Sequence, residues 1–181
     1  GILLDEGRGS YCRNLLETAA KVFNKPELSV NKTTFRINLM SVDLPEDSSK
    51  LEDILKKVAG NSVPGYVDIS GKRGIDCFHG LYAPMGVGLT LKPSKNVKNI
   101  ASRLIREINK SGISSFVAPA GIFWDMTLVR CTHMIEQRNE IYDFFSKAEA
   151  PDKKQSRIVV DNLTLFSEKD SITKVEGLYH F

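Results

Sequence analysis

The sequence predicts an α+β fold, and three observations carry that expectation. Four stretches repeat apolar residues at helical spacing, two pentads alternate apolar and polar residues as strands do, and the same order of elements occurs twice. Helix and strand periods that alternate along a chain predict sheets covered by helices on one face.

The helices come first. Residues 11–23 align Tyr11, Leu15, Leu16, Ala19, Val22 and Phe23 on one stripe, behind Ser10 as cap candidate. Residues 49–58 align Leu51, Ile54, Leu55 and Val58 after the cap candidates Asp47 and Ser48. Residues 95–110 carry Val97, Ile100, Leu104 and Ile108, opened by Ser94 and closed before Gly112. Residues 135–147 carry Ile135, Ile141, Tyr142 and Phe145. Charged side chains on these segments, such as Lys56, Lys57, Arg103 and Arg106, are expected on the solvated faces.

Strand-like runs lie between the helices. Phe35-Arg36-Ile37-Asn38-Leu39 and Trp124-Asp125-Met126-Thr127-Leu128 alternate cleanly. Val87 to Leu91 is a short apolar run between Gly86 and Pro93, and residues 157–166 are rich in Ile and Val. Tyr66–Ile69 and Ile75–Phe78 read as two weaker strands separated by a turn at Ser70-Gly71, and Lys174–Phe181 closes the chain. Ile2–Leu4 and Val87–Leu91 each precede a helix, so each half reads strand, helix, alternating strand, helix, strand. The paired elements are offset by roughly 85 to 91 residues, and the two pentads start 89 apart, at Phe35 and Trp124. The expectation is one unit over residues 1–181, made of two pseudo-symmetric lobes of antiparallel sheet flanked by helices, with a cleft between them.

The composition narrows the function. The chain has 181 residues, 41% apolar and 26% charged, with a net charge of +3 from 25 basic and 22 acidic side chains. Those values fit a globular domain and exclude a disordered tail. So small a net charge permits a local phosphate-binding patch without demanding nucleic acid. No apolar run is long enough for a membrane span, and the first residues lack a signal-peptide core. Cys12, Cys77 and Cys131 are odd in number and form no CxxC pair, which predicts neither a disulfide framework nor a zinc site. The expected setting is intracellular, in cytoplasm or nucleus, with no metal, no cofactor and no membrane partner. There is no Walker-type loop, no Gly-x-Ser-x-Gly elbow and no HExxH sequence.

Two lobes that each present one alternating pentad resemble the 2H phosphoesterase superfamily, the LigT-like and cyclic-phosphodiesterase proteins. The A-kinase-anchoring-protein branch, with its 2′-5′ RNA ligase-like domain, is the most similar. Besides the pentads, Ile75-Asp76-Cys77-Phe78, Val87-Gly88-Leu89-Thr90-Leu91 and Asn162-Leu163-Thr164-Leu165-Phe166-Ser167 with Gly177-Leu178-Tyr179 carry the similarity over most of the chain. The resemblance implies a His-x-Thr/Ser motif in each lobe, one imidazole acting as general base and one as general acid on a phosphodiester. Both motifs are degenerate here. Arg36 and Asp125 stand at the histidine positions, Asn38 replaces the first threonine, and only Thr127 is retained. Arginine does not release its proton near neutral pH and an exposed aspartate is already ionised, so neither takes over from an imidazole. His79, His133 and His180 are isolated, without ligand spacing.

The alternation places Arg36 with Asn38, and Asp125 with Thr127, on the polar sides of their strands. The expected function is a pseudoenzyme binding module linked to RNA metabolism, docking a protein partner through its surface. The alternative is an RNA- or nucleotide-binding cleft that uses Arg36, Asn38 and Thr127, with Lys92 and Lys95 contacting phosphate at a strand-to-helix junction. A second alternative is an active phosphodiesterase with atypical acid–base residues. Arg36 and Asp125 are expected to approach each other across the cleft.

Overall fold

The structure is a computed structural model that describes residues 1–4, 10–26, 28, 35–43, 48–75, 86–116, 122, 124–130, 136–151, 156–169 and 172–181. It is a mixed α+β fold with four helices and several antiparallel sheets among those residues. The helices are α1 (Ser10–Val22), α2 (Ser49–Gly60), α3 (Lys95–Ser111) and α4 (Arg138–Lys147). The strands are β1 (Ile2–Leu3), β2 (Arg36–Ile37), β3 (Ser41–Val42), β4 (Gly65–Ile75), β5 (Gly86–Pro93), β6 (Ser115–Phe116), β7 (Asp125–Arg130), β8 (Arg157–Val160), β9 (Asn162–Lys169) and β10 (Ile172–His180).

Eight of these ten strands form two series. One is the four-stranded sheet β7-β5-β4-β8, antiparallel throughout. In the other, β10 pairs with β9 and β1 pairs with β2, and β1 lies along β9. Gly1 and Thr164 exchange both backbone hydrogen bonds, at 2.8 and 2.9 Å. At the next rung the Asn162 side chain takes the place of backbone: Leu3 N donates to its Oδ1 at 3.0 Å, and its Nδ2 donates to Leu3 O at 2.9 Å. The two series meet where β2 and β7 run beside each other with Cα atoms within 8 Å.

Each strand's apolar side turns to the helices. In the four-stranded sheet Val67, Leu89, Leu91, Met126, Leu128, Ile158 and Val160 are buried, and α3 and α4 pack against β4 and β5. Ile2, Ile37 and Leu163 do the same in the other series, where α2 covers β9 and β10. The helices also pair. Phe23, just after α1, meets Phe144 of α4 edge-to-face at 5.7 Å, and Tyr11 Oη donates to Glu149 O. Helices α2 and α3 run antiparallel, tied by Lys50 Nζ to Ser111 O, by Lys57 to Glu107 at 2.7 Å, and by Arg103 to Asn61 O. Lys57 and Arg103 make these cross-links from the solvated side of the helices, where the sequence put them. The register of these helices accounts for it, since opposed termini bring cations to carbonyl ends and to Glu107.

Several sequence boundaries are corrected. The Ser70-Gly71 turn is a β-bulge within the single strand β4, because Ile69 pairs with Leu91 and Gly71 with Thr90. The run 157–166 breaks at exposed Asp161, and its two parts join different series as β8 and β9. Of Phe35–Leu39, only Arg36 and Ile37 lie in a ladder, while the second pentad extends to Arg130. The short pair β3–β6 was not expected at all. Helix α4 runs over Arg138–Lys147, and Ile135 lies outside the described residues. Ser94 caps α3 through Val97 N, and Gly112 ends that helix at φ 74°, as the sequence indicated. Ser48 does not cap α2 with its side chain; its hydroxyl donates instead to Glu52 Oε1 at 3.2 Å.

Two outcomes test this packing. Asn162→Ala strips Leu3 of both partners, so urea unfolding should show a loss of about 2–3 kcal/mol with an unchanged m-value. The hydrogen bond and charge of Lys57 hold the Glu107 carboxyl below its ordinary pKa. A depressed carboxylate pKa stabilises the fold above the unfolded value and loses that contribution as pH falls through the folded value. Carboxyl NMR titration of Lys57→Met should therefore return Glu107 towards the ordinary range, and the stability advantage of wild type over this variant should fade on acidification.

Candidate functional site

The side of the strands away from the helices carries the polar residues. On β2, Arg36 is half-buried and Asn38 just beyond it is exposed, whereas Phe35, Ile37 and Leu39 are buried. On β7, Asp125 and Thr127 are half-buried between buried Met126 and Leu128. The bulge that admits both Leu128 and Val129 to the interior leaves Thr127 opposite Gly88 and Asp125 opposite Thr90. Three of the four motif positions thus lie on the two strands at the seam between the series, Arg36 on β2 and Asp125 with Thr127 on β7, and Asn38 follows directly after β2.

Arg36 is oriented by a residue far away in sequence. Its Cζ stands 5.3 Å from the centroid of the Phe166 ring on β9. Sequence reading did not single out Phe166 as a site residue, because the relation arises only when β1 bridges β9 to β2.

Lys92 and Lys95 occupy the junction expected of them. Lys92 is exposed on β5, Ser94 forms the cap, and Lys95 is the first residue of α3. They lie on the four-stranded sheet and its helix, with β7 between β5 and the strand of Arg36. Lys92 shares its sheet face with charges on the neighbouring strands. Asp68 of β4 pairs with Lys92 on one side and with Arg157 of β8 on the other. Arg157 binds Asp68 through Nε at 2.9 Å and Nη2 at 3.2 Å, and its Cζ lies 3.9 Å from the Tyr66 ring centroid. The hydrogen bonds it donates to Asp68 raise the guanidinium pKa further. The sequence held one signal for this pair: Asp68 and Arg157 are 89 residues apart, the repeat offset.

The whole chain has a structural counterpart. The crystal structure of TT0787 of Thermus thermophilus covers 99% of this chain, and this chain covers 94% of it, at 14% identity and a TM-score of 0.56. The likeness is one of fold. No family model matches the sequence, and no curated protein matches it.

The remaining candidates offer no reactive constellation. His180 is exposed at the end of β10, and His79, His133, Cys77 and Cys131 lie outside the described residues. Cys12 is buried, and burial pushes its thiol up to about 12, so at neutral pH it is a core residue with no thiolate. Among the described residues no group of three or more His, Cys, Asp or Glu is placed to hold a metal ion, and no helix is long and apolar enough to cross a membrane. Lys72 reaches the carbonyls of Ala148 and Glu149, where its charge faces the C-terminal end of α4.

The contact between Arg36 and Phe166 should be measurable. A double-mutant cycle of Arg36→Met and Phe166→Leu, read by urea unfolding, should return a coupling of about 0.5–1 kcal/mol. Strict additivity would remove Phe166 from the site.

Proposed function

We propose that this chain is a 2H phosphoesterase-like module that binds at the seam between its two strand series and does not cleave. The two series correspond in this reading to the two pseudo-symmetric lobes of that family, and β2 and β7 to its motif strands. One observation carries it: the two degenerate motifs lie on adjacent strands at one seam, where an acid and a base would have to stand, and they supply Arg36 and Asp125.

A phosphodiester bound there would meet donors and no proton shuttle. Arg36 offers a planar fork whose one face is occupied by Phe166, which favours in-plane, two-point grip of a phosphate oxygen pair. Asn38 and Thr127 add neutral donors. Asp125 is an acceptor only, and selects for a ligand that brings a hydroxyl or amine beside its phosphate, as a ribose end does. The reading is therefore a nucleotide or RNA-end binder in RNA metabolism. Docking of a protein is the second reading. Its support is the pair of exposed apolar side chains Val175 and Leu178 on β10, 38% and 42% accessible.

Purified protein should not hydrolyse 2′,3′-cyclic nucleotides or 2′-5′ linkages above background, because Arg36 and Asp125 stand where the reaction needs two imidazoles. Calorimetric titration with a 3′-phosphorylated oligoribonucleotide should show binding that weakens roughly 10- to 100-fold in Arg36→Ala, the scale of a lost charge-assisted hydrogen bond. Turnover that vanishes in Asp125→Ala would restore the enzyme. Heat from a protein partner but none from RNA would move the assignment to the second reading.

A further inference from the structure

We propose that the corner of the open sheet face built on Tyr66, Arg157, Lys92 and Lys95 binds single-stranded nucleic acid, with one base stacked on the Arg157 guanidinium and its phosphate held by the two lysines. This surface lies on β8, β4, β5 and the start of α3, one strand or more away from the seam, so it stands whether or not the seam takes a ligand.

The platform is already assembled. Arg157 is clamped from below by the Tyr66 ring at 3.9 Å and from the side by two hydrogen bonds to Asp68. Its side chain nevertheless keeps 52% of its surface accessible. A planar cation whose rotamer is fixed before any ligand arrives loses little entropy on binding, and guanidinium planes take up unpaired bases as aromatic rings do. Asp68 is engaged by Arg157, its partner on the other side of the row. In the row Arg157–Asp68–Lys92 across three strands, Lys92 is exposed and makes no hydrogen bond or ion pair among the described residues.

The same corner is joined to the positive end of a helix. Tyr66 N donates to Ser94 Oγ at 3.2 Å, and Ser94 N donates to Tyr66 O at 2.9 Å, so the stacked ring is fastened to the cap of α3. That approach needs the glycine before it, since a Cβ at Gly65 would lie 2.7 Å from Val97 Cγ2 and 2.9 Å from Ser94 Oγ. The 17-residue helix has no acidic residue in its first turn and starts with exposed Lys95. An ordered stacking plane, two exposed ammonium groups with no ion pair among the described residues and the positive end of a helix thus share one end of the sheet. Stacking plus phosphate attraction is how single strands are held, whereas paired bases keep their faces inside the duplex.

The test is fluorescence anisotropy with a labelled single-stranded RNA of about ten nucleotides, within the range of single-strand site sizes. Arg157→Lys keeps the charge and removes the plane, and Tyr66→Ala removes its support; each should weaken binding roughly 5- to 100-fold. The double variant Lys92→Gln, Lys95→Gln touches only exposed side chains, so it reports even where Tyr66→Ala fails to fold. It should reduce the slope of log affinity against log salt by about 1.4. The same sequence as a duplex should bind far more weakly. Wild type that binds no RNA, or binding unchanged in Arg157→Lys and in the double variant, would overturn the proposal. So would capture of an acidic peptide in preference to RNA. Arg36→Ala separates the two sites: loss there with no loss in Arg157→Lys leaves only the seam, and the reverse leaves only this corner.

Discussion

The strand β1 is two residues long, yet the path from β9 to β2 passes through it, and one carboxamide, beside the Gly1–Thr164 pair, ties it to β9. Asn162 receives Leu3 N on Oδ1 and donates to Leu3 O from Nδ2, so its side chain acts as one more rung of a backbone ladder. Thr164 Oγ1 donates to the same Oδ1 at 2.8 Å, and Nδ2 also reaches Asp161 Oδ1 at 2.9 Å, which fixes which end of the amide faces which partner. Asn162 and Thr164 are the buried polar side chains of the described core, and each has its hydrogen bonds made. A two-residue pairing is marginal by itself. Tied to β9 in this way, it gives β2 a partner, and β2 in turn brings Arg36 over Phe166.

The second organising constraint is the two-residue period of the strands. Where the ladder is regular, one side of each strand goes under helices and the other is left for polar chemistry. Where it is not, a bulge does specific work. In β4 the extra residue Ser70 lets Asp68 and Tyr66 stay in line with Lys92 and Arg157 at one end while Lys72 turns towards α4 at the other. In β7 it admits Leu128 and Val129 together to the interior without turning Thr127 inwards.

Much of this could be read from residues alone, and the reasons differ by element. Helices α1, α2 and α3 were legible because their apolar stripes are long, although Val22 at the end of the α1 stripe is 60% exposed, and Ser94 and Gly112 mark the ends of α3 chemically. The pentads showed which side chains would be buried, since burial follows alternation even where only Arg36 and Ile37 keep a ladder. The break at Asp161 showed only as a change of phase: Ile158 and Val160 alternate on even positions and Leu163 and Leu165 on odd ones, with Asp161-Asn162 between them, a shift easily passed over in a run rich in Ile and Val. The bulge at Ser70 looked like a turn because both use small, flexible residues. Phe166 and Tyr66 were invisible as site residues, because an aromatic in a strand declares its burial and not the cation that will sit on it.

The position of β9 also dictates an order of events during synthesis. Residues 65–160 contain β4, β5, β7 and β8 with both covering helices α3 and α4, so that sheet has all its strands once β8 has emerged. The other series draws β1 and β2 from the beginning of the chain and β9 and β10 from its end, with 159 residues separating Leu3 from Asn162. Its first two strands leave the ribosome early and wait, apolar sides unpaired, until the last are made. A nascent or truncated chain that stops before Asn162 would expose Ile2 and Ile37 as an open edge, the kind of surface that holding chaperones engage and that aggregates when they do not.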